Sequence, residues 1–214
     1  MLELYCHPLA SFCWKVLIAL YEHGIPFTAR IIDLSDPAQR AELVALSPFG
    51  KFPLLHDKDR GEVVLESTII LEYLARHHAP ALLPPEHDLA VRYADRFYDL
   101  YVQLPMQSIV GDRLRPADKR DPLGVEQARA TLRTAYAQIE REMATRAWAI
   151  GDAFTLADCA AAPALFYADQ VEPLADEHAH AKGYLARLKT RPGFARVLRE
   201  AEPYFANFPG GLRR

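Results

Sequence analysis

Along the N-terminal third of the chain, short apolar runs alternate with helical spacings. LELYC (Leu2 to Cys6) reads as a strand, and after it Phe12, Val16, Ala19, Leu20 and His23 recur at helical spacing until Gly24 stops the helix. Phe27 to Ile32 is rich in strand formers, and Pro37 to Leu46 reads as a short helix that cannot continue through Ser47-Pro48. Pro53 to His56 and Glu62 to Leu65 flank the turn signal Asp57-Lys58-Asp59-Arg60-Gly61, and Ser67 to His78 closes the section with a helix. The order is β-α-β-α-β-β-α, which predicts one mixed sheet with helices on its faces.

The periodicity then breaks in APALLPPEHD, where three prolines fall between Ala79 and Asp88. Everything beyond reads helical. A long pattern runs from about Leu89 to Arg115, bent at Pro105, and Val125, Ala128, Leu132, Ala135, Ile139 and Met143 keep a near-heptad stripe that needs a partner surface, most simply the preceding helix in an antiparallel pair. Short helices from Leu156, Lys182 and Gly193 complete the pattern. The expected organisation is therefore an α/β domain over residues 1–78, a linker over 79–88 and an all-α helical bundle over 89–214.

Composition narrows the picture. Half of the 214 residues are apolar, and the net charge of −3 falls on residues 1–78, which hold seven Lys and Arg against ten Asp and Glu. No basic stripe suits a nucleic acid, and no apolar run reaches the roughly 18 residues of a membrane span. Cys6, Cys13 and Cys159 are too few and scattered for a disulfide framework, so a reducing, cytoplasmic setting is expected, with no leader read in MLELYCHPLA. The eight histidines cluster only at His77-His78 and His178-Ala179-His180, without a third ligand at a recognised spacing, so no metal is expected.

Three stretches can carry function. In GKFPLL, a cis Phe52-Pro53 bond would turn the Phe52 backbone outward to pair with a peptide-like ligand as an added strand; the alternative is a plain edge strand that begins with proline. In LEST, Ser67 can cap a helix whose first-turn amides would hold a carboxylate, while Glu66 would accept from an ammonium; otherwise the pair is a cap beside a solvated carboxylate. In GDAFTLADCAAAP, Thr155 and Asp158 stand at capping-box spacing with Phe154 at the staple position, and replacing Asp158 is expected to cost roughly 0.5–2 kcal/mol, as cap losses do.

A Ser-bearing loop after the first strand, then GKFP, LES, a Pro-rich linker and helices, resembles the cytosolic glutathione transferases over nearly the whole chain. GDAFTLADCAAAP likewise resembles the helix-nucleating motif of that family. The resemblance implies a thioredoxin-like N-terminal domain, an all-helical C-terminal domain, a homodimer, and glutathione as co-substrate. It implies that Glu66 and Ser67 grip the γ-glutamyl end, that Phe52 with Pro53 pairs with the cysteinyl residue, and that Lys51 meets the glycyl carboxylate. It also sets an apolar electrophile pocket between the long helix and the first loop, which makes Tyr98, Tyr101 and Met106 substrate-side candidates.

The thiolate is the nucleophile, and a free thiol has a pKa of about 8.5, so the site must favour S⁻. Ser11, at the start of the first helix, can donate to it with help from the helix dipole, and can equally be an ordinary N-cap. Cys13 would suit mixed-disulfide chemistry, as in thiol-transferring branches, yet it shares a helix face with Val16, Leu17 and Leu20 that points to the core. Matching Trp14-Lys15-Val16 to the Trp-Arg-Val of the serine-type zeta branch puts the usual activating serine on Ala10, so backbone amides are a third candidate. The expected activity is conjugation of glutathione to apolar electrophiles; a glutathione-dependent isomerase or thiol transferase, and a non-catalytic binding module of the same fold, are the alternatives.

Overall fold

A computed structural model describes residues 1–33 and 35–212. Strands β1 (Leu2–Cys6), β2 (Phe27–Ile31), β3 (Leu54–Asp57) and β4 (Glu62–Leu65) form one sheet in the order β2-β1-β3-β4. β1 runs parallel to β2, with Leu2 opposite Phe27, and antiparallel to β3, with Tyr5 opposite Leu54; β3 and β4 form a hairpin whose turn uses Gly61 at φ 66°. Helices α1 (Ser11–Glu22), α2 (Pro37–Leu46) and α3 (Ser67–His77) cover its faces. The alternation along β1 sorts the two sides. Tyr5 joins Ile32, Leu43 and Leu54 in a small cluster with α2, whereas Leu2, Leu4 and Cys6 enter the main core with α1 and α3. This is the thioredoxin-like arrangement expected of the first domain.

Two single 3₁₀ turns, Pro80–Leu82 and Pro85–His87, lead into α4 (Asp88–Phe97). The long helical pattern does not run straight: α4 passes through a π-helical turn, Tyr98–Gln103, into α5 (Leu104–Arg113). Pro105 accounts for the interruption, because it has no N–H for the carbonyl four residues back and its ring crowds that carbonyl. Next come α6 (Pro122–Met143), α7 (Leu156–Val171), α8 (Ala179–Thr190) and α9 (Pro192–Ala201). The stripe on α6 is buried, and the helix packs against both α5 and α8.

The helix at Leu156 is not short. It runs 16 residues straight through Pro163, and burial of nearly every residue offsets the lost backbone bond. Asp158 lies fully buried at its start, accepting from the amides of Thr155 (2.9 Å) and Ala149 (2.8 Å), the Thr155 hydroxyl (3.2 Å) and the Tyr184 hydroxyl (2.6 Å). Phe154 packs edge-on against Trp148 beneath the Arg191 guanidinium.

The two halves share one core, and α1 is the joint. Trp14 is fully buried among Phe166, Tyr167, Phe194 and Phe205 of the helical half, and its indole N–H donates to the Pro8 carbonyl at 2.6 Å. At the far end of α1, Glu22 accepts from the Gly193 amide (2.8 Å) and pairs with Arg191 (2.6 Å). A β-carbon at Gly193 would lie 2.7 Å from Glu22 Cγ and 2.9 Å from the Ile18 carbonyl oxygen, so glycine permits this contact.

Candidate functional site

Two helix starts open on one cleft between the halves. A cavity of about 650 Å³ is lined by Lys51, Phe52, Pro53, Glu66 and Ser67, all predicted from the sequence, together with Thr68, Arg96 and Asp99, which were not. The Phe52–Pro53 bond is cis. Glu66, the N-cap of α3, sits at φ 67°, ψ 124°, a strained region for a residue with a side chain, and no side chain caps the helix there. Ser67 lies inside the first turn and not at the cap, so the first-turn amides are left for something else.

A second cavity, about 440 Å³, adjoins the first and shares Phe12, Phe52 and Gln107 with it. Its walls are Leu9, Ala10, Ser11, Met106, Val110 and Leu114, with Tyr167, Phe208 and Pro209 on the far side. Among the described residues no Asp, Glu, Lys, Arg or His lines it. Phe12, which helical spacing assigned to the core stripe, is only half buried and faces this junction. Phe208 stacks on Tyr167 (5.4 Å, 18°), and the Arg113 guanidinium donates to the Pro209 carbonyl at 2.9 Å, which holds the C-terminal segment against the cavity.

Ser11 is the first residue of α1, and the N-cap is Ala10, which has no side chain to offer. The N-cap reading of Ser11 is thereby corrected. Among the described residues neither the Ser11 nor the Phe12 amide has an acceptor, as the first turn of a helix without a side-chain cap dictates. Ser11 Oγ accepts from the carboxamide Nε2 of Gln103, which the π turn brings to the buried face of the long helix. A hydroxyl has one hydrogen and two lone pairs, so this bond leaves its O–H free to donate elsewhere. Beside it, the His7 ring stacks on Phe52 (5.8 Å, 11°) and accepts from the Leu9 amide at 3.2 Å, while burial holds its pKa below the ordinary range, so it is neutral at pH 7.

Behind the larger cavity lies a buried ionic network that ties three helices together. Lys15 of α1 pairs with Asp95 (2.6 Å) and Asp99 (2.9 Å) and donates to Thr68 Oγ1 (3.0 Å). Thr68 donates to Asp95 (2.8 Å), and Arg96 reaches both Thr68 (3.1 Å) and Asp99 (3.1 Å). Burial pushes the Asp99 carboxyl up, against the opposing pull of Lys15. Such a cluster fixes geometry more reliably than it adds stability, since desolvation consumes most of the Coulomb gain. What it fixes is the start of α3, beside Glu66 and Ser67.

The family model of the glutathione S-transferase N-terminal domain matches residues 10–77, and that of the C-terminal domain matches residues 122–187. Glutathione S-transferase 3 of Zea mays is 30% identical over 92% of this chain and 93% of its own length. The chain belongs to the glutathione S-transferase family. A glutathione S-transferase from Methylobacterium radiotolerans, solved in complex with glutathione sulfonate, is 30% identical with a TM-score of 0.79, over 92% of this chain and 93% of that one. A relative with a different name, the stringent starvation protein A homolog of Pasteurella multocida, is 26% identical over 94% of this chain and 88% of its own length.

Within this glutathione S-transferase fold some expected side chains lie elsewhere. Cys13 is fully buried, with burial pushing its thiol pKa well up, so it meets no ligand sulfur. Tyr98 is also buried, hydrogen-bonded to Tyr184, and Tyr101 turns outward onto Phe97 at half exposure; of the three substrate-side candidates only Met106 lines the cavity. These candidates came from where the resemblance sets the pocket along the long helix, and that position did not fix which face each side chain takes. Gln103 and Gln107, one helical turn apart, belong to no motif that would have singled them out. Lys15 did carry a signal: a lysine inside the apolar run WKVLIAL calls for a buried partner. Among the described residues no cluster of His, Cys, Asp and Glu could hold a metal, and no helix is long and apolar enough to cross a membrane.

Proposed function

We propose that this chain conjugates glutathione, as its thiolate, to apolar electrophiles. The observation that carries the reading is the convergence of two helix starts without side-chain caps, those of α1 and α3, on one cleft beside an uncharged cavity. At α3, the first-turn amides and the Ser67 hydroxyl suit the γ-glutamyl carboxylate, and Glu66 suits its ammonium. The Phe52 backbone suits the cysteinyl unit, and Lys51 the glycyl carboxylate.

At α1, the Ser11 hydroxyl, steadied by Gln103, donates to the sulfur. The Ser11 and Phe12 amides and the helix dipole add to the same effect, so the anion is favoured at neutral pH. This is serine-type activation from a position one residue later than the zeta-like match would put it. The electrophile docks in the cavity beside Ser11, and the rate comes from holding a ready thiolate next to it.

Assembly as a homodimer fits the outer face of the long helix, where Leu89, Tyr93, Leu100, Tyr101 and Leu104 are exposed. A cytoplasmic setting suits the three buried free thiols. A non-catalytic binding module is the second reading, favoured by Ala10 at the N-cap. Calorimetry with glutathione and conjugation of 1-chloro-2,4-dinitrobenzene separate the two. The transferase reading expects binding plus turnover, with Ser11→Ala lowering kcat/KM about 10–100-fold and raising the bound thiol's pKa. Binding without turnover favours the module, and absence of glutathione binding overturns the reading.

A further inference from the structure

Residues of α5 border a second space besides the cavity beside Ser11. This is a groove of about 640 Å³ between α5 and α6, lined by Ser108, Asp112, Arg115, Asp121 and Gln127, and Gln107 and Gly111 line both. Its frame is fixed by its own hydrogen bonds. The Asp112 carboxylate accepts from the Asp121 amide at 2.7 Å, joining the end of α5 to the start of α6, and Asp121 accepts from the Gly124 amide at 2.9 Å.

Gly111 is the ledge between the two spaces. It lies inside α5 with no left-handed φ, so its backbone makes no demand for glycine, and a β-carbon there would meet nothing within 4 Å. Glycine in a helix interior is less favourable than alanine, so neither the turn nor the packing accounts for it. Gly193, where a β-carbon would collide with α1, is the contrasting case. Gly111 lines both spaces and the place of its β-carbon is empty, so a larger side chain there would take up room where cavity and groove border each other.

We infer that the electrophile is amphipathic, its apolar reactive end in the cavity beside Ser11 and an uncharged, hydrogen-bonding tail passing over Gly111 into the groove. An Asp112–Arg115 ion pair (3.4 Å) and the Asp121 carboxylate, with two carboxamides and a hydroxyl, favour a hydroxyl-, ether- or amide-bearing tail over an anionic or purely aliphatic one. The inference rests on the transferase reading for its chemistry.

The test compares three chlorodinitrobenzenes that share one reactive ring: one bare, one with an oligo(ethylene glycol) tail and one with an alkyl tail of equal length. The protein should prefer the ether-tailed substrate, and Gly111→Leu should erase that preference by about tenfold in the ratio of kcat/KM values, with Gly111→Ala between. Equal treatment of the two tails, or the same ratio in Gly111→Leu, overturns the inference. Calorimetry with the corresponding glutathione S-conjugates reads the groove without chemistry. Tail-dependent binding that Gly111→Leu abolishes upholds the groove even if turnover is absent, in which case the transferase reading alone fails.

Discussion

The starts of α1 and α7 are built to opposite ends. At α7 the Asp158 carboxylate is fully buried and takes four donors, two of them amides and two hydroxyls. At α1 the N-cap is an alanine, and the first amides face a cleft. The contrast extends across the fold. Carboxylates accept from amides at the starts of α2 (Asp36), α6 (Asp121), α8 (Glu140) and α9 (Glu22), whereas α1 and α3 lack a side-chain cap. A helix start closed by protein groups contributes to stability. One left open can hold an anion from outside, and the starts of α1 and α3 both border the cleft, whereas α4, whose start also lacks a side-chain cap, continues directly from a 3₁₀ turn.

The largest effect should come from breaking the closed end. Asp158→Ala strands four buried donors, each costing about 1–3 kcal/mol, so a loss of at least about 3 kcal/mol is expected, beyond the ordinary cap range the sequence suggested. Urea unfolding checks it, and a loss under about 1 kcal/mol would mean that water or relaxation replaces the carboxylate. Asp158→Asn, which keeps the shape and one acceptor, should fall between.

Closing the open end is the reverse operation. Ala10→Asp supplies the missing cap and should stabilise the fold by about 0.5–1 kcal/mol. The same carboxylate takes the amides and sets a negative charge beside the sulfur, so the bound thiol's pKa should rise and conjugation should drop several-fold. Stability and activity moving in opposite directions is the outcome that distinguishes an end reserved for a ligand from one that merely lacks a cap; activity rising with stability would contradict the comparison.

How much of this was visible in the chain differs between the two ends. Thr155 and Asp158 announce themselves because capping is local, a matter of three residues, and GKFP and LES are equally local. Ser11 could be located, but not its partner: Gln103 lies 92 residues away and reaches it through a π turn that no spacing rule anticipates. The burial of Tyr98 and the outward turn of Tyr101 depend on which side of the long helix meets the core, which a pocket position along the helix does not settle. Phe12 fits the helical stripe numerically yet lines the cleft, because a period locates a face without saying whether core or cavity lies against it. Asp95 and Asp99 read as ordinary charges on a helix, and only the packing of α1, α3 and α4 reveals them as partners of Lys15.

The smallest expected effect tests whether a carboxylate cap supplied from a distant helix behaves like a local one. Glu140, on α6, accepts from the amides of His180 (3.1 Å) and Ala181 (2.9 Å) at the start of α8. Burial alone would push its pKa up, but these two bonds and the nearby histidines outweigh it, and the net shift is down. A carboxyl with a lowered folded-state pKa binds fewer protons in the native state than in the unfolded chain, so its stabilisation is complete above the ordinary glutamate pKa. It is lost as pH falls through the lowered value. Glu140→Gln should therefore cost about 0.5–1 kcal/mol at pH 7, and the gap should close in acid once the wild-type carboxyl is protonated. Paired unfolding curves from pH 7 to pH 3 would measure this. A gap that stays constant with pH would assign the Glu140 contribution to packing, and would leave the charge-capped helix starts confined to α2, α6, α7 and α9.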